Sequence, residues 1–140
     1  MTTAIDSNIF AALWDRDDAL HSLARTALDA ALARGNLVVA AAVYAELLAF
    51  PSRTEAMLDF FFKDTGVTVE WNLEESDWRA AGRAYQKYAQ GRRKQRDPGP
   101  RRILADFMIG AHALRRGYRL LTLDDRLYRS AFPRLSIITV

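Results

Sequence analysis

The chain has 140 residues, half of them hydrophobic, and it has no cysteine. This length suits one domain with a substantial hydrophobic core, whereas the lack of cysteine excludes disulfide bonds and thiolate metal sites. The net charge is only +3, from 20 basic and 17 acidic residues, so the positions of the charges are more informative than their sum.

The first half of the chain alternates short apolar runs with helical patterns. Three short runs predict strands, over residues 3–6, 37–40 and 67–71. Three longer patterns predict helices, over residues 17–34, 43–50 and 54–63. Gly35 and Pro51 stand at two of the breaks between these elements, as expected of residues that end regular structure.

The second half of the chain continues the same alternation. Helices are predicted over residues 74–90, 103–116 and 125–131. Strands are predicted over residues 119–123 and 135–140. Because helices separate most successive strands, the strands are expected to pair in parallel and to carry helices on both faces. The predicted fold class is therefore α/β, with three α/β/α layers.

Residues 91–102 form a strongly basic segment between two predicted helices. One acid, Asp97, stands there against six basic residues, a local charge of +5; the basic residues are Arg92, Arg93, Lys94, Arg96, Arg101 and Arg102. Such a patch is typical of a surface that binds a polyanion, and a solvated, mobile loop would have the same composition. Since no repeat or long linker divides the chain, we predict one domain over residues 1–140 with this segment as a loop insertion.

The N-terminal residues do not resemble a secretory signal, because they lack a basic start and a long apolar stretch. No apolar stretch in the sequence approaches the ~20 residues that a membrane-spanning helix needs. We therefore expect a soluble, cytoplasmic protein that has no membrane partner.

Polar residues stand at the carboxyl ends of two predicted strands. Asp6 and Asn8 follow the first strand, and Thr122, Asp124 and Asp125 stand at the end of the fourth. In open parallel sheets, ligands bind just outside the carboxyl ends of the strands. These residues are therefore candidates for a functional site.

Two further acids interrupt apolar helical patterns. Glu46 is the only acid in residues 43–50, and Asp106 is the only acid in residues 103–114. Asp106 lies early in its helix, where a carboxylate also compensates the helix dipole. That alternative does not apply to Glu46, which lies in the middle of its pattern.

Four carboxylates that converge on one cleft would repel each other unless a cation lay between them. Hard divalent ions such as Mg²⁺ and Mn²⁺ prefer oxygen ligands, whereas zinc prefers nitrogen and sulfur. A metal held in this way can activate water and neutralise charge on a phosphodiester. An all-acid site without cysteine thus favours Mg²⁺ or Mn²⁺ as the cofactor.

In order and context, these motifs resemble those of the PIN domain family, and the chain as a whole is similar to VapC-type toxins of toxin–antitoxin pairs. The resemblance extends from Ala4 to the last predicted strand. It implies a parallel sheet of about five strands between helices, and RNA hydrolysis that depends on Mg²⁺ or Mn²⁺. It also implies a cognate antitoxin that occludes the site, and a homodimer.

The resemblance assigns roles residue by residue. The catalytic, metal-binding acids of the family fall on Asp6, Glu46, Asp106 and Asp124. Asn8 and Thr122 fall on the polar positions that support these acids. Asp125 departs from the pattern because it stands beside the matching acid, so it is either a supporting ligand or the N-cap of the next helix. The basic segment, which enters the chain just before Asp106, is expected to bind the RNA backbone.

Two other functions are weighed against this one. The first is a catalytically silent PIN-type module that binds RNA, against which the retention of all four acids argues. The second is a response-regulator-like or phosphatase-like domain, which would need two acids after the first strand, where this chain has only Asp6.

Other residues favour structural roles. His112 lies about 240° around its helix from Asp106, so we predict a buried or interface position rather than a catalytic one. The run from Phe60 to Phe62 cannot face inward as a whole, so part of it is expected to meet a partner.

Overall fold

The computed structural model of the chain describes residues 1–95 and 102–140. Its five strands form one all-parallel sheet in the order β3-β2-β1-β4-β5. The strands are β1 (Thr2–Ile5), β2 (Asn36–Ala40), β3 (Thr68–Glu70), β4 (Arg119–Thr122) and β5 (Ile137–Thr139). The predicted α/β fold with a parallel sheet of about five strands is confirmed.

Seven helices connect the strands within the described residues. They are α1 (Ser7–Trp14), α2 (His21–Arg34), α3 (Ala41–Leu47), α4 (Glu55–Thr65), α5 (Glu75–Arg93), α6 (Leu104–Arg116) and α7 (Arg126–Ala131). Six of them correspond to predicted helices. None of the helices in the described ranges is long and apolar enough to cross a membrane.

The sequence analysis missed α1, which begins directly after Asp6. The Asp6 side chain accepts a hydrogen bond from the Ser7 backbone N–H at 2.7 Å and serves as the N-cap of this helix. No turn residue separates α1 from β1, so strand and helix read as one apolar stretch interrupted by a polar motif. The helix turns Ile9 and Phe10 into the core, where both are fully buried.

Two clusters of aromatic rings join the helices around the sheet. Phe10 meets the rings of Phe61 and Phe62 edge-on, with centroids 5.7 Å apart in each case, and so joins α1 to α4. Phe107 lies 4.9 Å from the ring of Tyr85 and joins α6 to α5. Phe10 and Phe107 are fully buried, so each cluster contributes apolar burial as well as ring contacts.

Gly110 permits a close contact between α6 and the segment before β5. A Cβ atom at this position would lie 2.3 Å from Cε2 of Phe132, whose ring is buried. We expect Gly110→Ala to lower the free energy of unfolding by roughly 1–3 kcal/mol, because the ring has to move within a packed core. Urea denaturation measures this change.

The matched control is Gly82→Ala in α5, where an added Cβ would meet nothing within 4 Å. That variant is expected to gain up to about 1 kcal/mol from the better helix propensity of alanine. If Gly110→Ala were stabilised as well, the close packing against Phe132 would not be a constraint on the fold.

His112 is fully buried and links α6 to β3. It therefore has the buried position that was one of the two predicted for it. Its Nε2 lies 2.8 Å from Glu70 Oε1, and its Nδ1 is buried with no hydrogen-bond partner. Burial lowers the pKa of His112 below its ordinary value of 6.5, and Glu70 only partly opposes this. The ring is therefore neutral at pH 7, because a second proton would place an unpaired N–H in the core.

This lowered pKa predicts acid lability. Below pH 6.5 the unfolded chain binds a proton that folded His112 does not, so stability falls with pH by up to about 1.4 kcal/mol per unit. Thermal unfolding between pH 7 and pH 5 should show a smaller loss for His112→Gln than for the unchanged protein. Equal pH slopes would show that His112 does not titrate with unfolding. The comparison between variants is needed because buried carboxyl groups with raised pKa values have the opposite effect: they make the folded protein more stable as the pH falls.

Candidate metal centre

The topology brings four acids to the carboxyl edge of the two central strands. Asp6 follows β1 directly, and Asp124 lies two residues beyond the end of β4, its hydrogen-bonded neighbour. Glu46 comes from α3, which follows β2, and Asp106 comes from the first turn of α6. The predicted acids therefore approach the site from two strand ends and two helices.

Asp6 is the buried centre of this group, with 5 % of its surface exposed. Its Oδ2 accepts hydrogen bonds from the Thr122 hydroxyl at 2.9 Å and the Tyr128 hydroxyl at 3.0 Å. Burial raises the pKa of Asp6, and the hydrogen bonds from Thr122, Tyr128 and Ser7 act against that rise. These hydrogen bonds to both oxygens therefore fix the orientation of the Asp6 carboxylate.

Glu46 and Asp106 are half-buried and interact electrostatically with Asp6. Burial raises the pKa of Glu46, and the negative charges of Asp6 and Asp106 add to the rise. Burial also raises the pKa of Asp106; the Ile103 backbone hydrogen bond and Arg102 oppose this rise, and Asp124 adds to it. Three carboxyl groups with raised pKa values in one place, each raised chiefly by burial, are typical of a functional site.

Asn8 and Thr122 support the acids from the two strand ends. The Asn8 amide donates to the Thr122 hydroxyl at 3.2 Å, and the Asn8 carbonyl oxygen accepts from the Leu123 backbone at 3.1 Å. Thr122 in turn donates to Asp6. Asn8 therefore fastens the start of α1 to the end of β4, while Thr122 is the residue of this pair that touches an acid.

Two residues in the site were not identified from the sequence. Tyr128 donates to Asp6 from α7 and is buried. The Ser7 hydroxyl donates to Glu46 Oε1 at 3.1 Å and lies 3.5 Å from Asp6 Oδ1, so it bridges two acids. Ser7 stands inside the first motif and could have been found there, whereas Tyr128 looks like an ordinary core residue of a short helix.

Asp124 and Asp125 point in different directions. Oδ2 of Asp124 accepts from Arg102 at 3.1 Å, and its Oδ1 accepts from the Arg126 backbone at 3.3 Å. Burial raises the pKa of Asp124, but these arginine contacts outweigh it and leave the pKa below the ordinary value. Asp125 stands at the N-cap position of α7 without a side-chain cap bond, and it pairs with Arg129 instead. Among the described residues, no contact supports Asp125 as a ligand, so that role stays a prediction.

Comparison with known proteins identifies the family. The family model of the PIN domain matches residues 3–133. The chain belongs to the PIN domain family. The resemblance drawn from the motifs is confirmed, and a comparison with curated protein sequences gave no match.

Solved structures similar to this PIN domain include toxins of toxin–antitoxin pairs. VapBC2 of Rickettsia felis, solved with a promoter DNA fragment, has a TM-score of 0.71 at 16 % identity, covering 99 % of this chain and 98 % of that one. VapBC-1 of nontypeable Haemophilus influenzae has a TM-score of 0.67 at 22 % identity, with the same coverage. VapC20 of Mycobacterium tuberculosis, described as a sarcin-ricin loop cleaving toxin, has a TM-score of 0.59 at 18 % identity, covering 91 % and 94 %. These likenesses show a common fold.

The basic segment of this PIN domain is partly helical, which corrects the prediction of a loop from residue 91. Arg92 and Arg93 form the last turn of α5, and Lys94 is its C-cap, because the helical pattern runs on through Gly91. Arg102 lies at the site, where its guanidinium donates to Asp124. The predicted RNA-binding residues Arg96 and Arg101 lie outside the described residues.

The fit of a metal to these residues follows from their chemistry. In residues 1–95 and 102–140 no three acidic or histidine side chains form a group that could hold an ion directly. Hydroxyls contact Asp6, and arginines contact Asp124. Mg²⁺ usually keeps several waters and needs only one or two direct carboxylates. An all-oxygen donor set whose carboxyl groups have raised pKa values suits such a hard cation.

Proposed function

We propose that this PIN domain is a metal-dependent endoribonuclease that hydrolyses RNA phosphodiester bonds and acts as the toxin of a toxin–antitoxin pair. The observation that carries the proposal is the gathering of Asp6, Glu46 and Asp106 at the carboxyl edge of the central strands, where burial raises the pKa of each carboxyl group and repulsion from neighbouring carboxylates adds to the rise. Such repulsion is costly in a folded protein. A bound divalent cation would relieve it and give these acids a catalytic use.

In this proposal, Asp6, Glu46 and Asp106 hold Mg²⁺ or Mn²⁺, directly or through the waters that the ion keeps, and Asp124 completes the site. When bound, the ion activates water and neutralises negative charge on the phosphodiester. The chain itself orients the acids: Thr122 and Tyr128 fix Asp6, and Ser7 fixes Glu46.

Arg102 contributes positive charge at the edge of the site. Its guanidinium lies 3.1 Å from Asp124 and is about one-third exposed, so an RNA phosphate can approach it from solvent. Arginine forms paired hydrogen bonds with phosphate oxygens. In the proposed function, Arg102 therefore binds the backbone next to the acids, and Arg92, Arg93 and Lys94 extend this basic surface.

The proposed partners follow from the similar structures. Several of them are toxin–antitoxin complexes, and one is described as a toxin that cleaves the sarcin-ricin loop. We extend this to a cognate antitoxin that covers the acids, to a homodimer, and to a cytoplasmic location. Phe60 is 70 % exposed although Phe62 is buried, which supports a partner surface on α4.

The test is the incubation of a mixed pool of structured RNA with purified protein in Mn²⁺, in EDTA, and in Mn²⁺ with Asp6→Asn. We expect cleavage only by the unchanged protein in Mn²⁺, with a loss of at least about 10³-fold in the variant. Asp64→Asn, on the exposed surface of α4, is the matched control and should cleave normally.

The alternative is the catalytically silent module that binds RNA. It would be favoured if no condition gave cleavage while the protein, freed of any co-purified antitoxin, still retained RNA. Cleavage that persisted in EDTA would instead overturn the metal-dependent mechanism.

A further inference from the structure

A cleft of about 300 Å³ lies between α5 and α7, beside the acids but separate from them. Its apolar walls are Ala84 and the ring of Tyr88 on one side, and Leu127 and Ala131 on the other. This volume is at the lower end of the range of small-molecule pockets, roughly 300–1,000 Å³. The cleft can therefore hold one group of nucleotide size.

The polar residues at the cleft are basic or neutral. Lys87 and Arg92 stand on its α5 side, Ser130 on its α7 side, and Gln95 at its end, while the described residues that line it include no acid. Cations at the rim of an apolar slot suit a ligand with a flat, partly apolar body and a negative charge. A nucleotide has these properties, with its base as the flat body and its phosphate as the charge.

Direct contacts link the cleft to the acids. The Tyr88 hydroxyl accepts from the Arg102 backbone N–H at 2.8 Å, and the Arg102 side chain donates to Asp124. On the other wall, Leu127 is followed by Tyr128, which donates to Asp6. A strand of RNA that placed one nucleotide in the cleft would thus reach the acids along Arg102.

We propose that this cleft, which we name the α5–α7 cleft, binds one nucleotide of a single-stranded RNA segment next to the bond that is cut. The base lies against Tyr88 and Leu127, and a backbone phosphate lies against Lys87 and Arg92. The proposal rests on the proposed nuclease function for its substrate, and it adds a specific binding site beside the acids.

Binding is tested with a fluorescein-labelled decauridylate in EDTA, which prevents metal-dependent cleavage, by fluorescence anisotropy over a range of salt. Lys87→Glu should weaken binding by about tenfold and reduce the salt slope by roughly one or more. Ser130→Trp should fill the cleft and weaken binding about fivefold, with little change of salt slope. Both side chains are exposed, so both variants should fold.

The matched control is Arg79→Glu, which makes the same charge change on the same helix. Arg79 is exposed and lies ~12 Å along the helix axis from Lys87. The Arg79→Glu change should weaken RNA binding less than twofold. A series of decamers with one abasic nucleotide tests whether a base occupies the cleft: one position should weaken binding several-fold in the unchanged protein and have no effect in Ser130→Trp.

Five outcomes are decisive. Equal weakening by Lys87→Glu and Arg79→Glu, or no sensitivity to any abasic position, would overturn the cleft as a nucleotide site. If polyglutamate of matched charge displaced the RNA from the unchanged protein but not from Ser130→Trp, the nucleotide site would be overturned, and the cleft would bind an acidic polypeptide instead. Base-sensitive binding without cleavage in Mn²⁺ supports the cleft while the nuclease function fails. Cleavage in Mn²⁺ with no effect of the cleft variants overturns the cleft while the nuclease function stands.

Discussion

Asp106→Asn is expected to abolish metal-dependent cleavage of RNA and to stabilise the protein in EDTA. Burial and the nearby Asp124 raise the pKa of Asp106, so the ionised form of this carboxyl group is held at a cost in the folded state. Asparagine removes this charge but can still accept the hydrogen bond from the Ile103 backbone. We expect a gain of about 1 kcal/mol in EDTA and a loss of at least about 10³-fold in cleavage.

Thermal unfolding and RNA cleavage, measured on the same preparations, test this pair of effects. In the unchanged protein, Mn²⁺ should raise the unfolding temperature, because a ligand that binds only the folded state stabilises it. In Asp106→Asn this rise should be much smaller. Asp29→Asn, on the exposed surface of α2, should change neither property. A variant that lost cleavage and was also less stable in EDTA would show misfolding rather than the loss of a ligand.

Tyr128→Phe is expected to lower cleavage by about 10- to 100-fold while the fold persists. The change removes one of the two hydroxyl groups that donate to Asp6 Oδ2 and keeps the buried ring. Groups that orient the ligands of a metal typically contribute this much to metal affinity or activity. Because Tyr128 acts through Asp6, part of the defect should be overcome by a higher Mn²⁺ concentration.

The control for this experiment is Tyr118→Phe, which makes the same change at the same kind of bond. The Tyr118 hydroxyl donates to Glu70 Oε2 at 2.9 Å, outside the group of acids. Both variants should lose a similar amount of stability, about 1–3 kcal/mol, but only Tyr128→Phe should raise the Mn²⁺ concentration needed for half-maximal cleavage. The same Mn²⁺ dependence in both variants would mean that Tyr128 has a structural role only.

The strands could be predicted because burial in a parallel sheet leaves a plain signal. Residues 37–40 form a continuous apolar run, and the structure buries all four of them. The first helix escaped prediction because its N-cap, Asp6, is also the first acid of the site. Its polar motif indicated chemistry, and it gave no separate sign that a helix begins at Ser7.

The acids could be predicted because each one stands in an apolar setting where a carboxylate is costly. Tyr128 could not, since its hydroxyl meets Asp6 only when α7 packs against the end of β1, a contact between residues 122 positions apart. Arg92 and Arg93 were assigned to a loop because their charges obscured the helical pattern that continues past Gln90. For Tyr128, tertiary packing rather than local sequence determines what the side chain does.

The three hydrogen bonds to Asp6 affect the free energy of binding a metal ion at the site. The Ser7 backbone and the hydroxyls of Thr122 and Tyr128 fix the rotamer of this carboxylate, so its conformational entropy is lost when the chain folds. Binding of a cation then incurs no further ordering of that ligand. The site is preorganised at Asp6, and adjustment on metal binding falls to Glu46, Asp106 and Asp124, which are held by fewer or more exposed contacts.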